Sequence, residues 1–133
     1  MTIPPAALEE LRRRARNAAA HAHAPYSRFR VGAAVLTDVG VHAGANVENA
    51  SYGLSVCAER NAIFHAIAEG ARRVDAICVY TPTRAPVTPC GACLQVLREF
   101  AADALVLCCT DDAAAERRYQ LSELLPAAFR LES

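Results

Sequence analysis

Apolar residues first recur at helical spacing. Leu8, Leu11, Ala15, Ala18 and Ala22 lie three, four or seven positions apart, with Arg12, Arg13, Arg14 and Arg16 between them. This pattern predicts an amphipathic helix over about 5–22, closed by Pro25. Glu9 and Glu10 balance the arginines, which therefore read as a solvated helix face. Val31 to Leu36 is a short apolar run, Asp38-Val39-Gly40 has turn chemistry, and Val41 to Val47 continues extended, which together predict a hairpin. A loop through Asn49 to Gly53 follows. Ala62, Ile63, Ala66 and Ile67 place a second helix over about 57–69, stopped by Gly70. Val74 to Tyr80 reads as a buried strand, and Pro82, Pro86 and Pro89 stiffen the loop after it. Cys93, Leu97, Phe100 and Ala101 share one stripe, so a third helix covers about 91–102. Leu105 to Thr110 is a further buried strand, Tyr119 to Leu121 a short edge strand, and Glu123-Leu124-Leu125 a terminal turn before Pro126.

The two later strands are continuously apolar, as strands covered by helices on both faces are. Each follows a helix, which calls for right-handed parallel crossovers. The expected fold is α/β, a three-layer α/β/α sandwich around a mixed sheet of about five strands. The 133 residues suit one domain at roughly 100–200 residues per domain, so 1–133 is read as a single domain.

Composition narrows the partners. Fourteen basic residues face fourteen acidic ones, so the chain lacks the positive excess that a nucleic acid requires. No apolar run approaches the ~18 residues of a membrane span. Met1-Thr2-Ile3-Pro4-Pro5 leads into Arg-rich sequence rather than an apolar signal region, which gives the expectation of a cytoplasmic protein. In that compartment the six cysteines stay reduced and need another reason. Cys78, Cys108 and Cys109 lie in apolar strands and read as small core residues. Cys57, Cys90 and Cys93 have polar, Gly or Pro neighbours.

Cys90-Gly91-Ala92-Cys93 is a C-x-x-C at a helix start, and Cys57 stands at another. A C-x-x-C alone also fits a redox pair, but the third cysteine favours metal. Residues i and i+3 share a helix face, and the positive end of a helix favours thiolate. Three thiolates without an evident fourth ligand suggest one zinc per chain with an open position, the form of a catalytic site. The competing reading is a closed site completed by Cys78, Cys108 or Cys109. Glu59, two residues past Cys57, can reach a water beside the metal without ligating it. Arg60 lies three after Cys57, on the same face, and can hydrogen-bond a ligand sulfur. His21, His23, His42 and His65 carry no metal-ligand pattern; His21 and His23 would face different ways on the first helix.

Longer blocks add a family resemblance. They are Pro25-Tyr26-Ser27-Arg28-Phe29-Arg30-Val31-Gly32-Ala33-Ala34, Gly44-Ala45-Asn46-Val47-Glu48-Asn49-Ala50-Ser51-Tyr52, Cys57-Ala58-Glu59-Arg60, Pro89-Cys90-Gly91-Ala92-Cys93 and Leu124-Leu125-Pro126-Ala127-Ala128-Phe129. In these blocks and their order the chain resembles the small, three-cysteine zinc cytidine deaminases. The resemblance implies zinc-dependent hydrolytic deamination of cytidine and 2′-deoxycytidine to uridine and 2′-deoxyuridine with release of ammonia, in pyrimidine salvage. It also implies a homotetramer with shared active sites. By the same resemblance Glu59 is catalytic, Asn46 and Glu48 hold the ribose, Phe29 packs on the pyrimidine, and the Ala58 backbone contacts the base. Ala50 and Tyr52 reach a neighbour's nucleoside, and Phe129 stacks across a subunit boundary. Asn46 and Glu48, two apart on an extended segment, point the same way.

One position departs from the family pattern. Leu94 stands where an Arg usually follows the second cysteine of the pair. Either Arg60 alone offsets the thiolate charge and an Arg at 94 would share that task, or position 94 packs in the core and cannot. Three rival readings are a deaminase of a related cytosine nucleoside such as blasticidin S, a polynucleotide-editing deaminase, and a zinc-stapled binding module without catalysis. Asn46-Val47-Glu48-Asn49 weighs against the first, neutral charge and few aromatics against the second, and Glu59 against the third.

Overall fold

The computed structural model describes residues 2–131 of the chain. Helix α1 (Pro5–Ala19) starts on a proline, whose fixed φ suits the first helical position. It buries Leu8, Leu11, Ala15 and Ala19 along one stripe. The helix ends three residues earlier than the periodicity predicts, because the backbone of His23 leaves to pair with Val47. His21 and His23 therefore lie in the segment after the helix and not on one of its faces.

Strands β1 (Gly32–Thr37) and β2 (Gly40–Ala45) form the predicted hairpin. Helix α2 (Ala58–Ala68) follows a 3-10 turn at Tyr52–Leu54 and ends on Gly70, which takes φ +102°. Ala71 N–H then bonds back to the Ala66 carbonyl at 3.0 Å, a closure that a left-handed Gly allows without strain. After β3 (Val74–Tyr80) come α3 (Gly91–Phe100), β4 (Leu105–Cys109), the exposed edge strand β5 (Arg117–Gln120) and a one-turn helix α4 (Leu121–Leu124). The expected edge strand is thus placed two residues earlier, and the expected terminal turn is α4.

The sheet order is β2-β1-β3-β4-β5, with β3 and β4 parallel and the other neighbours antiparallel. Two apolar layers lie on its faces. Ala34, Ala76, Cys78, Tyr80, Leu107 and Cys109 pack under α1. Ala33, Val35, Ile77, Val79, Val106 and Cys108 pack under α2 and α3. Alternation along each strand sends successive residues to opposite layers, so continuously apolar strands yield the mixed α/β sandwich. Cys78, Cys108 and Cys109 are buried in these layers.

The helices sit close to the sheet because small residues let them. A Cβ on Gly44 would lie 2.4 Å from the Ala62 nitrogen, and one on Gly32 would lie 1.8 Å from the Ala15 carbonyl oxygen. Asn61 adds a directed bond from α2, donating to the Ala45 carbonyl at 2.8 Å. On the other face, Arg12 of α1 forks onto Glu116 at 2.7 and 3.1 Å, tying the helix to the approach of β5.

The Arg12 guanidinium holds the Glu116 carboxyl below its ordinary value. A depressed folded-state pKa stabilises the fold above the unfolded carboxylate's pKa and loses that contribution as pH falls through the folded value. Glu116→Gln should lower Tm at pH 7 by a few degrees, on the order of 1 kcal/mol for a partly screened pair. The gap to wild type should close below about pH 4. Equal melting curves at pH 7 would show that the pair contributes nothing.

Candidate active site

Two helix starts converge at one end of the sheet. Cys57 is the N-cap of α2 and Cys90 the N-cap of α3, both with extended backbone. Neither side chain caps its own helix, so both sulfurs remain available. Cys93, in the first turn of α3, lies on the same side as Cys90, with their sulfurs 3.5 Å apart. All three Sγ atoms lie within 4.8 Å of one another, the one such group of potential ligands among the described residues. Cys78, Cys108 and Cys109 do not join it, so no closed four-cysteine site forms among the described residues.

The donor set fits zinc. Tetrahedral zinc with bonds of about 2.3 Å needs sulfurs roughly 3.8 Å apart. The surroundings favour thiolate. Arg60 donates through Nη2 to Cys57 Sγ at 3.4 Å, and its Nε is buried without a partner. A hydrogen bond from Cys93 and then the Arg60 guanidinium pull the Cys57 thiol well below its ordinary value. Giving that hydrogen bond holds the Cys93 thiol up. Three thiolates around a divalent cation leave a net charge of −1, which Arg60 and the two helix N-termini face.

Glu59 is the second residue of α2 and only 6% exposed. Burial pushes its carboxyl above the ordinary value, and the nearby Cys57 sulfur adds to the shift. Glu59 is thus a buried carboxyl, two residues from a sulfur ligand candidate, that holds its proton more tightly than an exposed glutamate.

The other candidates form a second group. Asn46, just past β2, accepts from Val31 N–H at 2.9 Å and donates to the Phe29 carbonyl at 2.8 Å. The Glu48 carboxylate accepts from the backbone N–H groups of Tyr26 and Ser27 at 3.0 and 3.1 Å and from the Ser27 hydroxyl. These bonds hold it below its ordinary value, the Ser27 hydroxyl contributing most. Asn46 and Glu48 therefore brace the loop 26–31 that carries Phe29, a structural task their spacing did not announce. Each keeps unused capacity, since an amide has a second N–H and a carboxylate several lone pairs. Tyr52 lies edge-on to Tyr26 at 5.9 Å, and Tyr26, Ser27, Glu48, Tyr52 and Ser55 line a cavity of about 280 Å³. Ala58 is fully buried at the start of α2, and Ala50 is exposed on the bend before Tyr52. Phe129 stands apart, 70% exposed, on a tail that touches α3 through the Phe129 carbonyl.

Sequence reasoning passed over Ser27, Asn61 and Gln95. Ser27 has a local signal, since its hydroxyl accepts from Phe29 N–H two residues on, a Ser-turn pattern. Asn61 and Gln95 act on residues 16 and 34 positions away, which no local pattern reveals. Leu94 is 6% exposed and packs in the layer under α2 and α3. Of the two readings of position 94, the structure supports the packed one.

Comparison with known proteins agrees with this geometry. Residues 5–109 match the family described as the cytidine and deoxycytidylate deaminase zinc-binding region. A cytidine deaminase of Halalkalibacterium halodurans is 50% identical over 112 residues, 84% of this chain and 85% of that protein. One from Mycobacterium tuberculosis is 44% identical over 123 residues, 92% of this chain and 89% of that protein. The crystal structure of a cytidine deaminase from Burkholderia pseudomallei superposes with a TM-score of 0.85 at 45% identity, covering 91% of this chain and 98% of that one.

Two measurements probe the site. Cys93→Ala should lose bound zinc, and elemental analysis showing full occupancy with activity retained would reject the three-sulfur assignment. Leu94→Arg should destabilise the fold by about 3 kcal/mol, because it buries an unpaired charge. Denaturant unfolding with an unchanged midpoint would place position 94 outside the core.

Proposed function

We propose, taking as premise that this chain belongs to the cytidine deaminase family and deaminates cytidine, that it also accepts 2′-deoxycytidine and works with one zinc per chain. The products are uridine, 2′-deoxyuridine and ammonia, a reaction that serves pyrimidine salvage. The observation that carries this reading is one buried carboxyl, Glu59, placed next to a thiol trio suited to zinc.

Cys57, Cys90 and Cys93 hold the metal. When bound, zinc supplies Lewis-acid chemistry, lowering the pKa of water toward neutrality. Glu59 takes a proton from the attacking water and passes it to ring N3. The water oxygen bonds to C4, and Glu59 then takes the remaining proton from the new C4 hydroxyl and delivers it to the amino group, which leaves as ammonia as the C4–N bond breaks and the C4 carbonyl forms. A single carboxyl serves both transfers when its pKa lies near working pH, and the burial of Glu59 moves it in that direction. Arg60 steadies the sulfur charge. Zinc ligands with such partners keep a fixed orientation.

Asn46 and Glu48 grip the sugar with the donors and lone pairs left after bracing the loop. Phe29 packs on the pyrimidine, and the Ala58 backbone contacts the base. Nothing in this set recognises a phosphodiester backbone, and the balanced charge supports a free nucleoside as substrate.

We further propose a homotetramer with shared sites. Tyr52, Leu54, Phe64 and Phe129 are large apolar residues left exposed, as residues awaiting a neighbouring subunit are. Ala50 and Tyr52 reach a neighbour's nucleoside, and Phe129 stacks there. Residues 1–133 act as one catalytic domain in the cytoplasm, where the thiols stay reduced. No helix among the described residues is long and apolar enough to cross a membrane.

Glu59→Gln tests the proton carrier. Gln matches Glu in shape and cannot shuttle a proton, so turnover should fall by about 10²–10⁴-fold with zinc and fold retained. A spectrophotometric assay showing near wild-type turnover would assign the proton to another group.

A further inference from the structure

We infer that Gln95 is a positioning residue of this enzyme, holding the tail so that Phe129 is presented to the nucleoside site of a second copy of the chain. The inference rests on the reading above that Phe129 completes a neighbouring site.

Three observations carry it. After α4 the chain turns at Ala127, which takes φ +52°. That left-handed conformation disfavours an L side chain and persists where the surroundings hold it. The Gln95 side-chain amide donates through Nε2 to the Phe129 carbonyl at 3.1 Å. The Phe129 ring nevertheless projects into solvent and stacks on no aromatic ring among the described residues. The backbone of this tail is therefore tied to α3 just past a sharp turn, while its largest apolar group is left uncovered. A frayed end would have neither the bond nor the sharp turn.

Gln95 is half-buried on α3, two residues beyond Cys93. Its anchor therefore relates the ring to the helix that carries two of the three sulfurs. In an assembly with shared sites, this bond sets where one subunit's ring lies relative to its own α3 while that ring serves the neighbour. Without the bond the tail must be ordered each time substrate binds, which weakens binding more than it slows the chemistry.

The test uses zinc-loaded, full-length protein with cytidine. Steady-state kinetics are measured for wild type, Gln95→Ala, Gln95→Glu, Phe129→Ala and the Gln95→Ala/Phe129→Ala double variant, with zinc content, oligomeric state and Tm measured alongside. Gln95→Ala should raise KM severalfold with a much smaller change in kcat. Gln95→Glu, nearly identical in size, replaces the donor with an acceptor facing the carbonyl and should raise KM at least as much. A purely packing role would leave that variant close to wild type. In the Phe129→Ala background, removing Gln95 should cost nothing more, because the two act as one unit. If Phe129→Ala raises KM and the Gln95 variants do not, or if the two effects add, the positioning role is overturned and the shared-site reading stands. If Phe129→Ala leaves KM and kcat unchanged, the shared-site reading fails and the role of Gln95 fails with it.

Discussion

Three sulfurs from two helices meet within 4.8 Å because both helices begin at the same end of the sheet. Helix α2 leaves the carboxyl end of β2, and α3 leaves the carboxyl end of β3. The strand between them, β1, is antiparallel to both, so β2 and β3 run the same way. Two crossovers from parallel strands must start on one side, and in such sheets that edge is where ligands bind. The N-terminal N–H groups of both helices then face the same small volume, which draws negative charge to it.

That convergence needs helices that lie close to the sheet. The Gly44 backbone touches α2 at Ala62, and Asn61 bonds to the Ala45 carbonyl, so α2 is fixed against β2 at two points. One residue beyond Ala45, Asn46 turns its amide to the loop carrying Phe29. The helix bearing Cys57 and Glu59 is thereby linked through one strand end to the group of residues proposed to hold the nucleoside. The link is short and hydrogen-bonded, as a site requires if two groups are to keep their spacing.

The electrostatics follow from the same packing. Cys57 sits at a helix start beside Arg60, and its proton is easily lost. Glu59, two residues on, is buried, and its proton is held more tightly. Two acidic groups two positions apart thus move in opposite directions, one proposed for metal binding and the other for proton transfer. The causes differ: a hydrogen bond from Cys93 and the Arg60 guanidinium favour the Cys57 thiolate, whereas burial penalises the charged Glu59 carboxylate.

Much of this was legible in the residues alone. Period 3.6 in three segments and unbroken apolar runs in two strands determine a layered α/β fold, since each pattern can be buried in only one way. The i, i+3 spacing of Cys90 and Cys93, with Glu59 two residues past Cys57, determines the class of chemistry. Tertiary structure decided what depends on distant contacts. The pairing of His23 with Val47 ended α1 at Ala19, and core packing claimed Leu94. Asn46 and Glu48 were given to a loop 15 to 22 residues back, and Gln95 to a carbonyl 34 residues ahead. Hydrogen bonds of that reach leave no periodic trace, because each joins two positions whose separation is set by the fold and not by the helix or strand repeat.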